Sequence, residues 1–163
     1  MKLSTKGRYA VMAMADLASR DGEGPVTLAD IASRQAISLS YLEQLFAKLR
    51  RGDVVASARG PGGGYSLARP ANEIRLSDVI NAVEEDIDPR RCAGNPKGCM
   101  KTGMRCITHD VWDELGRHIF LFFNSITLED VVEHRVMGAA SMAFSDPRMP
   151  KPSKASVAGM AAE

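Results

Sequence analysis

Cys92, Cys99 and Cys106 are the only cysteines of the chain, and His109 follows the last of them in a Cys106-x2-His109 step. Thiolate and imidazole are donors that suit zinc, Cu(I) and iron–sulfur clusters. Structural zinc usually takes its ligands in pairs two to four residues apart. Here only the Cys106–His109 step has that spacing, because six residues separate Cys92 from Cys99 and another six separate Cys99 from Cys106. A wide loop with Gly94, Gly98 and Gly103 among its spacers can reach round a larger polynuclear centre. The spacing therefore favours a cluster over zinc and leaves its nuclearity open. An odd number of thiols leaves one over in any closed disulfide framework, so a reducing compartment is expected.

Such a loop needs elements that hold it and something for it to control. The chain has 163 residues and 45% hydrophobic content, room for one ordinary domain with its own core and an appendage. Lys2, Lys6 and Arg8 before the apolar stretch 9–15 look superficially like a signal peptide, but Asp16 ends the stretch early and no convincing cleavage site precedes Asp21-Gly22. No run approaches the roughly 18 apolar residues of a membrane span. The reading is a cytoplasmic protein with no membrane partner.

The net charge of +1 hides an asymmetry: residues 1–69 hold 10 Lys or Arg against 6 Asp or Glu, residues 70–108 hold 6 against 6, and residues 109–163 hold 5 against 8. The N-terminal part suits a polyanion.

Tyr9, Ala10, Ala13, Met14, Leu17 and Ala18 recur at helical spacing over 5–19, and Gly22 with Gly24-Pro25 stops that helix. Two short helices follow: 27–35, with Leu28, Ile31 and Ala32 on one face, and 38–51, with Leu42, Leu45, Phe46 and Leu49 on one face. The linker Ala36-Ile37-Ser38 has the length of a helix-turn-helix turn. Then come a strand over 54–58, the turn Arg59-Gly60-Pro61-Gly62-Gly63-Gly64 and a strand over 65–67. The expected fold is mainly α with a small β-hairpin wing, a winged helix-turn-helix. A further helix is expected over 76–84, with Ser77 placed to start it.

Beyond the cysteines, Trp112, Leu115, Ile119, Phe122 and Ile126 fall at steps of 3, 4, 3 and 4. That stripe is the seam of a long dimerisation helix, with a groove-packed core helix as the competing reading. Thr127, with Asp130 three residues on, opens one more short helix over 127–136. The expected organisation is a DNA-binding domain over 1–86, a cluster loop over 87–108, dimerisation helices over 109–144 and a disordered tail over 145–163.

On helix 38–51 the face opposite the leucines carries Tyr41, Gln44, Lys48 and Arg51. A helix in the major groove needs short polar groups at its N-terminal end for base edges and cations further on for phosphates. Ser38, Ser40, Tyr41 and Gln44 match the first need, and Lys48 and Arg51 the second; a merely solvated face is the plain alternative. The wing adds Arg59, slender enough for a narrow minor groove, and a turn of Gly60, Pro61, Gly62 and Gly63 that exposes backbone N–H groups. Lys2, Lys6 and Arg8 would add phosphate contacts. Glu43 has two readings. With Ser40 it would form a capping box. Facing DNA, its carboxylate would favour the cytosine amino group and repel the acceptor edge of guanine.

The opening Met1-Lys2-Leu3-Ser4-Thr5-Lys6-Gly7-Arg8-Tyr9-Ala10-Val11, the helix around Ser40-Tyr41-Leu42-Glu43-Gln44-Leu45-Phe46, the wing Arg59-Gly60-Pro61-Gly62-Gly63-Gly64-Tyr65 and the Cys/His set together resemble the bacterial iron–sulfur cluster regulators, a family of winged-helix repressors. The similarity covers roughly residues 1–140. It implies a homodimer on double-stranded promoter DNA, with a 2Fe-2S cluster, in preference to 4Fe-4S, held by Cys92, Cys99, Cys106 and His109. It also implies repression of cluster-assembly genes in the loaded form, action at other sites in the cluster-free form, and the iron–sulfur assembly machinery as cluster donor. The gaps between cysteines are about one residue longer here than in familiar members.

Two other functions compete. A zinc-stabilised winged-helix DNA-binding adaptor would use the same donors. An electron carrier or redox enzyme would need a catalytic dyad or a second cofactor motif, and none is found: His118 and His134 read as surface or packed histidines. No enzyme activity is expected.

Overall fold

The computed structural model describes residues 4–85, 89, 99–100 and 103–136. Lys2, Cys92 and the tail 145–163 lie outside the described residues. The chain divides into Met1–Glu133 and His134–Glu163; the elements below belong to the first unit.

Helix α1 spans Thr5–Ala18 and starts on Ser4, whose hydroxyl accepts the Lys6 N–H at 3.1 Å. Helix α2 spans Leu28–Gln35, capped by Thr27 Oγ1 accepting the Asp30 N–H at 3.2 Å. It ends on Ala36 in the left-handed region (φ 52°), which turns the chain into α3, Leu39–Arg51. The apolar stripes close on one another: Met14, Ile31, Leu42, Phe46 and Leu49 are fully buried. Burying a side chain of this size is worth about 1.5–3 kcal/mol, which fixes the angle between α2 and α3 more firmly than helix propensity could.

Strands β1 (Val55–Ala58) and β2 (Gly64–Leu67) pair antiparallel, Val55 opposite Leu67 and Ala58 opposite Gly64. The hairpin is anchored at its base. Tyr65 exchanges two backbone hydrogen bonds with Val26, both 2.8 Å, and its ring stands edge-on to Phe46 with centroids 4.8 Å apart. The wing is therefore tied both to the segment leading into α2 and to the underside of α3.

Helix α4, Leu76–Ala82, begins where the sequence suggests and ends two residues earlier. Its N-cap is Arg75, whose N–H is accepted by Asp78 at 3.1 Å, while Ser77 is buried in the first turn and donates to Asn124 Oδ1 at 3.0 Å. A hydroxyl expected to start the helix instead ties it to α5. Helix α5 spans His109–Ser125 and α6 spans Leu128–Val132, the latter with Thr127 and Asp130 in a reciprocal capping box.

Ile126 departs from the expected stripe. It lies beyond the end of α5 in extended backbone and is buried, and its carbonyl accepts the Leu76 N–H at 2.9 Å. The Leu128 N–H in turn reaches the Ile74 carbonyl at 2.9 Å, and Leu128 is fully buried. A short extended bridge thus returns the chain to the winged helix, so α6 helps to close that core. By contrast, no residue of α5 is buried: Trp112, Leu115, Phe120, Leu121 and Phe122 are all exposed. A core helix would bury its stripe, so that reading does not hold for this chain on its own.

Candidate DNA-reading face and cysteine–histidine site

Helix α3 presents Ser40, Glu43, Gln44 and Arg51 as exposed side chains, with Tyr41 and Lys48 half-buried at its margins. The helix begins at Leu39 with Ser38 as N-cap, so position N3 is Tyr41 rather than Glu43. The capping box read from Ser40 and Glu43 therefore cannot form, because Ser40 already lies inside the helix. Ser38 makes no side-chain cap bond, and its hydroxyl lies 2.9 Å from that of Ser40. Glu43 is left on the open face beside Gln44.

Tyr41 packs edge-on against Tyr9 of α1, ring centroids 6.0 Å apart, which limits how that ring can swing. Lys48 Nζ lies 2.5 Å from a Glu84 carboxylate oxygen, and Arg51 Nε donates to the Ala47 carbonyl at 3.3 Å. Lys6 Nζ donates to the Glu84 carbonyl at 2.6 Å, and Arg8 is exposed on α1. Helix α2 is braced from behind: Asp16 on α1 accepts from Arg34 Nη2 at 2.6 Å and Gln35 Nε2 at 2.8 Å. The braces Tyr9, Asp16 and Glu84 escaped sequence reasoning, because nothing local marks partners 18 to 78 residues apart.

At the wing tip, Arg59, Gly60, Pro61 and Gly62 are exposed and Gly63 is half-buried. Gly60 (φ 100°) and Gly62 (φ 76°) occupy backbone conformations that side-chain-bearing residues rarely adopt. Both glycines are therefore required by the turn that follows the exposed Arg59.

The cysteine segment is described at 99–100 and from 103 onward. The chain reverses on Gly103 (φ 80°), and the Met104 carbonyl accepts the N–H groups of both Cys99 and Met100 at 3.1 Å. This turn lays Cys99 against the start of α5, with its Sγ 2.9 Å from His109 Nδ1. The Cys106 carbonyl accepts the His109 N–H at 3.0 Å, and Cys106 Sγ lies 3.6 Å from the Thr108 hydroxyl. The Thr108 hydroxyl holds the Cys106 thiol below its ordinary value, with a contact from Cys99 adding to the shift and partial desolvation opposing it. Cys99, Cys106 and His109 thus gather at the N-terminal end of α5, where the helix dipole favours thiolate. Among the described residues no three of these donors complete a metal-ligand group.

Residues 3–134 match Rrf2, described as an iron-dependent transcriptional regulator. The chain belongs to the Rrf2 family. Among curated relatives of this Rrf2 protein is the HTH-type transcriptional regulator IscR of Pectobacterium carotovorum, 55% identical over 135 residues, covering 83% of this chain and 81% of the relative. Among solved structures, T. potens IscR is 39% identical with a TM-score of 0.67, over 83% of this chain and 88% of that one. CymR, the global cysteine regulator of B. subtilis, is 34% identical with a TM-score of 0.70, over 82% of this chain and 98% of that one. These relatives bear out the winged-helix fold and the reading as a DNA-binding transcriptional regulator, not an enzyme. No helix among the described residues is long and apolar enough to cross a membrane.

Proposed function

We propose that this Rrf2 protein is an iron–sulfur-cluster-sensing regulator that binds promoter DNA as a homodimer in the cytoplasm. Cys92, Cys99, Cys106 and His109 would hold a 2Fe-2S cluster supplied by the assembly machinery. The loaded form would repress cluster-assembly genes, and the cluster-free form would act at other sites. The observation that carries the reading is the 2.9 Å approach of Cys99 Sγ to His109 Nδ1 at the foot of α5, in a chain whose other surface is built to read DNA.

The donor set fits the group. A cluster ligand must be thiolate or neutral imidazole, and the Thr108 hydroxyl already favours the thiolate of Cys106. Imidazole in place of a fourth thiolate lowers the negative charge at the iron, so the site should release its cargo more readily than four thiolates would. Ready release suits a gauge of cluster supply.

On the DNA side, Ser38, Ser40, Tyr41, Glu43 and Gln44 would meet base edges, and Lys2, Lys6, Arg8, Lys48 and Arg51 phosphates. Arg59, with Gly60, Pro61, Gly62 and Gly63, would enter the minor groove. With its capping role removed, Glu43 is available to favour cytosine and disfavour guanine. The exposed stripe Trp112, Leu115 and Phe122 on α5 supports the homodimer, since a two-fold regulator reads two half-sites. Iron, acid-labile sulfide and zinc measured on anaerobically purified protein, with a visible spectrum, test the proposal. Coloured protein holding iron and sulfide in equal amounts is expected. Colourless protein with a tightly held zinc ion per chain would overturn it in favour of the adaptor.

A further inference from the structure

Two of the cations assigned above to DNA phosphates are already engaged within the protein, both by the same acidic pair. Val83 closes α4 as its C-cap, and the next two residues are Glu84 and Glu85. Glu85 is the fixed member. Its side chain is only 4% exposed; it accepts the Ser4 N–H at 2.8 Å and the Ser4 hydroxyl at 2.5 Å, and lies 3.8 Å from Lys6 Nζ. Glu84 is the open member, with its side chain 71% exposed. Its carbonyl holds Lys6 at 2.6 Å and its carboxylate holds Lys48 at 2.5 Å. The hydrogen bond and charge of Lys48, then the fields of Arg51 and Lys6, keep the Glu84 carboxyl below its ordinary value, so it is anionic near neutral pH.

An anion seated on a phosphate-binding ammonium must be displaced before DNA can use that ammonium. We propose that Glu84 is an intramolecular competitor of DNA, a latch that occupies Lys48 on the recognition helix and lowers affinity until phosphate replaces it. The latch rests on the assignment of Lys48 to phosphate contact. Glu84 follows the C-cap of α4 and stands eight positions before Cys92 in the sequence. Glu84 also has a positive φ of 56°, a backbone conformation that costs free energy unless its contacts hold it.

The test is fluorescence anisotropy of full-length, cluster-free protein on a duplex of arbitrary sequence across a salt series, with Glu84→Gln, Lys48→Gln and the double variant. Glu84→Gln should bind about two- to fivefold tighter at low salt, the scale of an exposed ion pair. Its plot of log affinity against log salt should steepen by up to about 0.9, the value of one further phosphate contact. Lys48→Gln should bind more weakly, and adding Glu84→Gln to it should change nothing further. If Glu84→Gln tightens binding equally in both backgrounds, the effect is a general loss of negative charge and the latch is refuted. It is equally refuted if Lys48→Gln weakens binding while Glu84→Gln alone has no effect. If Lys48→Gln leaves binding intact, Lys48 is not a phosphate contact and the latch falls with that assignment, whatever the rest of the DNA-reading face does. Unchanged thermal unfolding of each variant separates these outcomes from misfolding, since Glu84 is exposed and Lys48 only half-buried.

Discussion

Replacing Asp16 with Asn should cost more stability than any other single exchange of a polar side chain for its isostere near the helix-turn-helix. The Asp16 side chain is 5% exposed, and its oxygens take hydrogen bonds from Arg34 Nε at 3.0 and 3.3 Å, from Arg34 Nη2 at 2.6 Å and from Gln35 Nε2 at 2.8 Å. An Asn amide would turn one acceptor into a donor facing donors. Breaking a fully buried pair costs about 3–5 kcal/mol, and a hydrogen bond to a charged group is worth about 1.5–3 kcal/mol. The Arg34 side chain is 30% exposed and can regain water, which places the expected loss at about 2–3 kcal/mol. At about 2–4 °C per kcal/mol for a chain of this size, the melting temperature should fall by about 4–12 °C.

The pH dependence follows from the same geometry. Burial alone would raise the Asp16 carboxyl, but the hydrogen bonds from Arg34 and Gln35 and the charge of Arg34 outweigh it and hold the group below its ordinary 3.8. A depressed carboxylate contributes stability that is present above its unfolded value and lost as pH falls through the folded one. The gap between the parent and Asp16→Asn should therefore be full near neutral pH and close progressively below 3.8. Urea unfolding followed by circular dichroism at several pH values measures it. A gap below about 0.5 kcal/mol near neutral pH, the size of an ordinary surface change, would refute the reasoning. So would a gap that persists undiminished well below the carboxylate range.

Phe46→Ala should destabilise by about 3–5 kcal/mol in denaturant titration and loosen the wing, seen as faster amide exchange at Tyr65, because Phe46 is fully buried against that ring. Thr127→Ala removes the hydroxyl that accepts the Asp130 N–H at 3.1 Å and should cost about 1 kcal/mol, read as increased exchange through α6. Gln44→Ala should cost about 1–3 kcal/mol at the base it reads while leaving the salt dependence of binding unchanged; a uniform loss across a panel of operator variants would remove Gln44 from base contact. His109→Cys should retain its cluster longer than the parent in anaerobic absorbance decay, and equal or faster loss would reject the account of lability given above.

Most of the winged helix was legible because its signals are local. The Leu42, Leu45, Phe46 and Leu49 period, the cap Thr127 and the wing glycines each act within one or two turns of chain. Three expectations failed, two of them where a longer-range contact decided the outcome. Ser77 faces Asn124 rather than starting α4, Ile126 joins the core instead of the α5 stripe, and Glu43 falls two residues too late to cap α3. The first two depend on the bridge that brings residues 126–128 back to 74–76, a contact no periodicity encodes.

The sequence by itself determined the parts: which segments are helical, which face of each is apolar, which donors could take a soft metal, and where basic charge gathers. Side-chain type and spacing suffice for these, since helical period and donor chemistry are properties of a few neighbouring residues. Only the tertiary structure decided how the parts restrain one another. The turn at Gly103 sets Cys99 on His109, Asp16 on α1 braces α2, and Glu84 seats itself on the very lysine expected to hold DNA. Each is a meeting of charges or donors distant along the chain, and their energies, unlike helix propensities, depend on burial and separation that exist only once the core has closed.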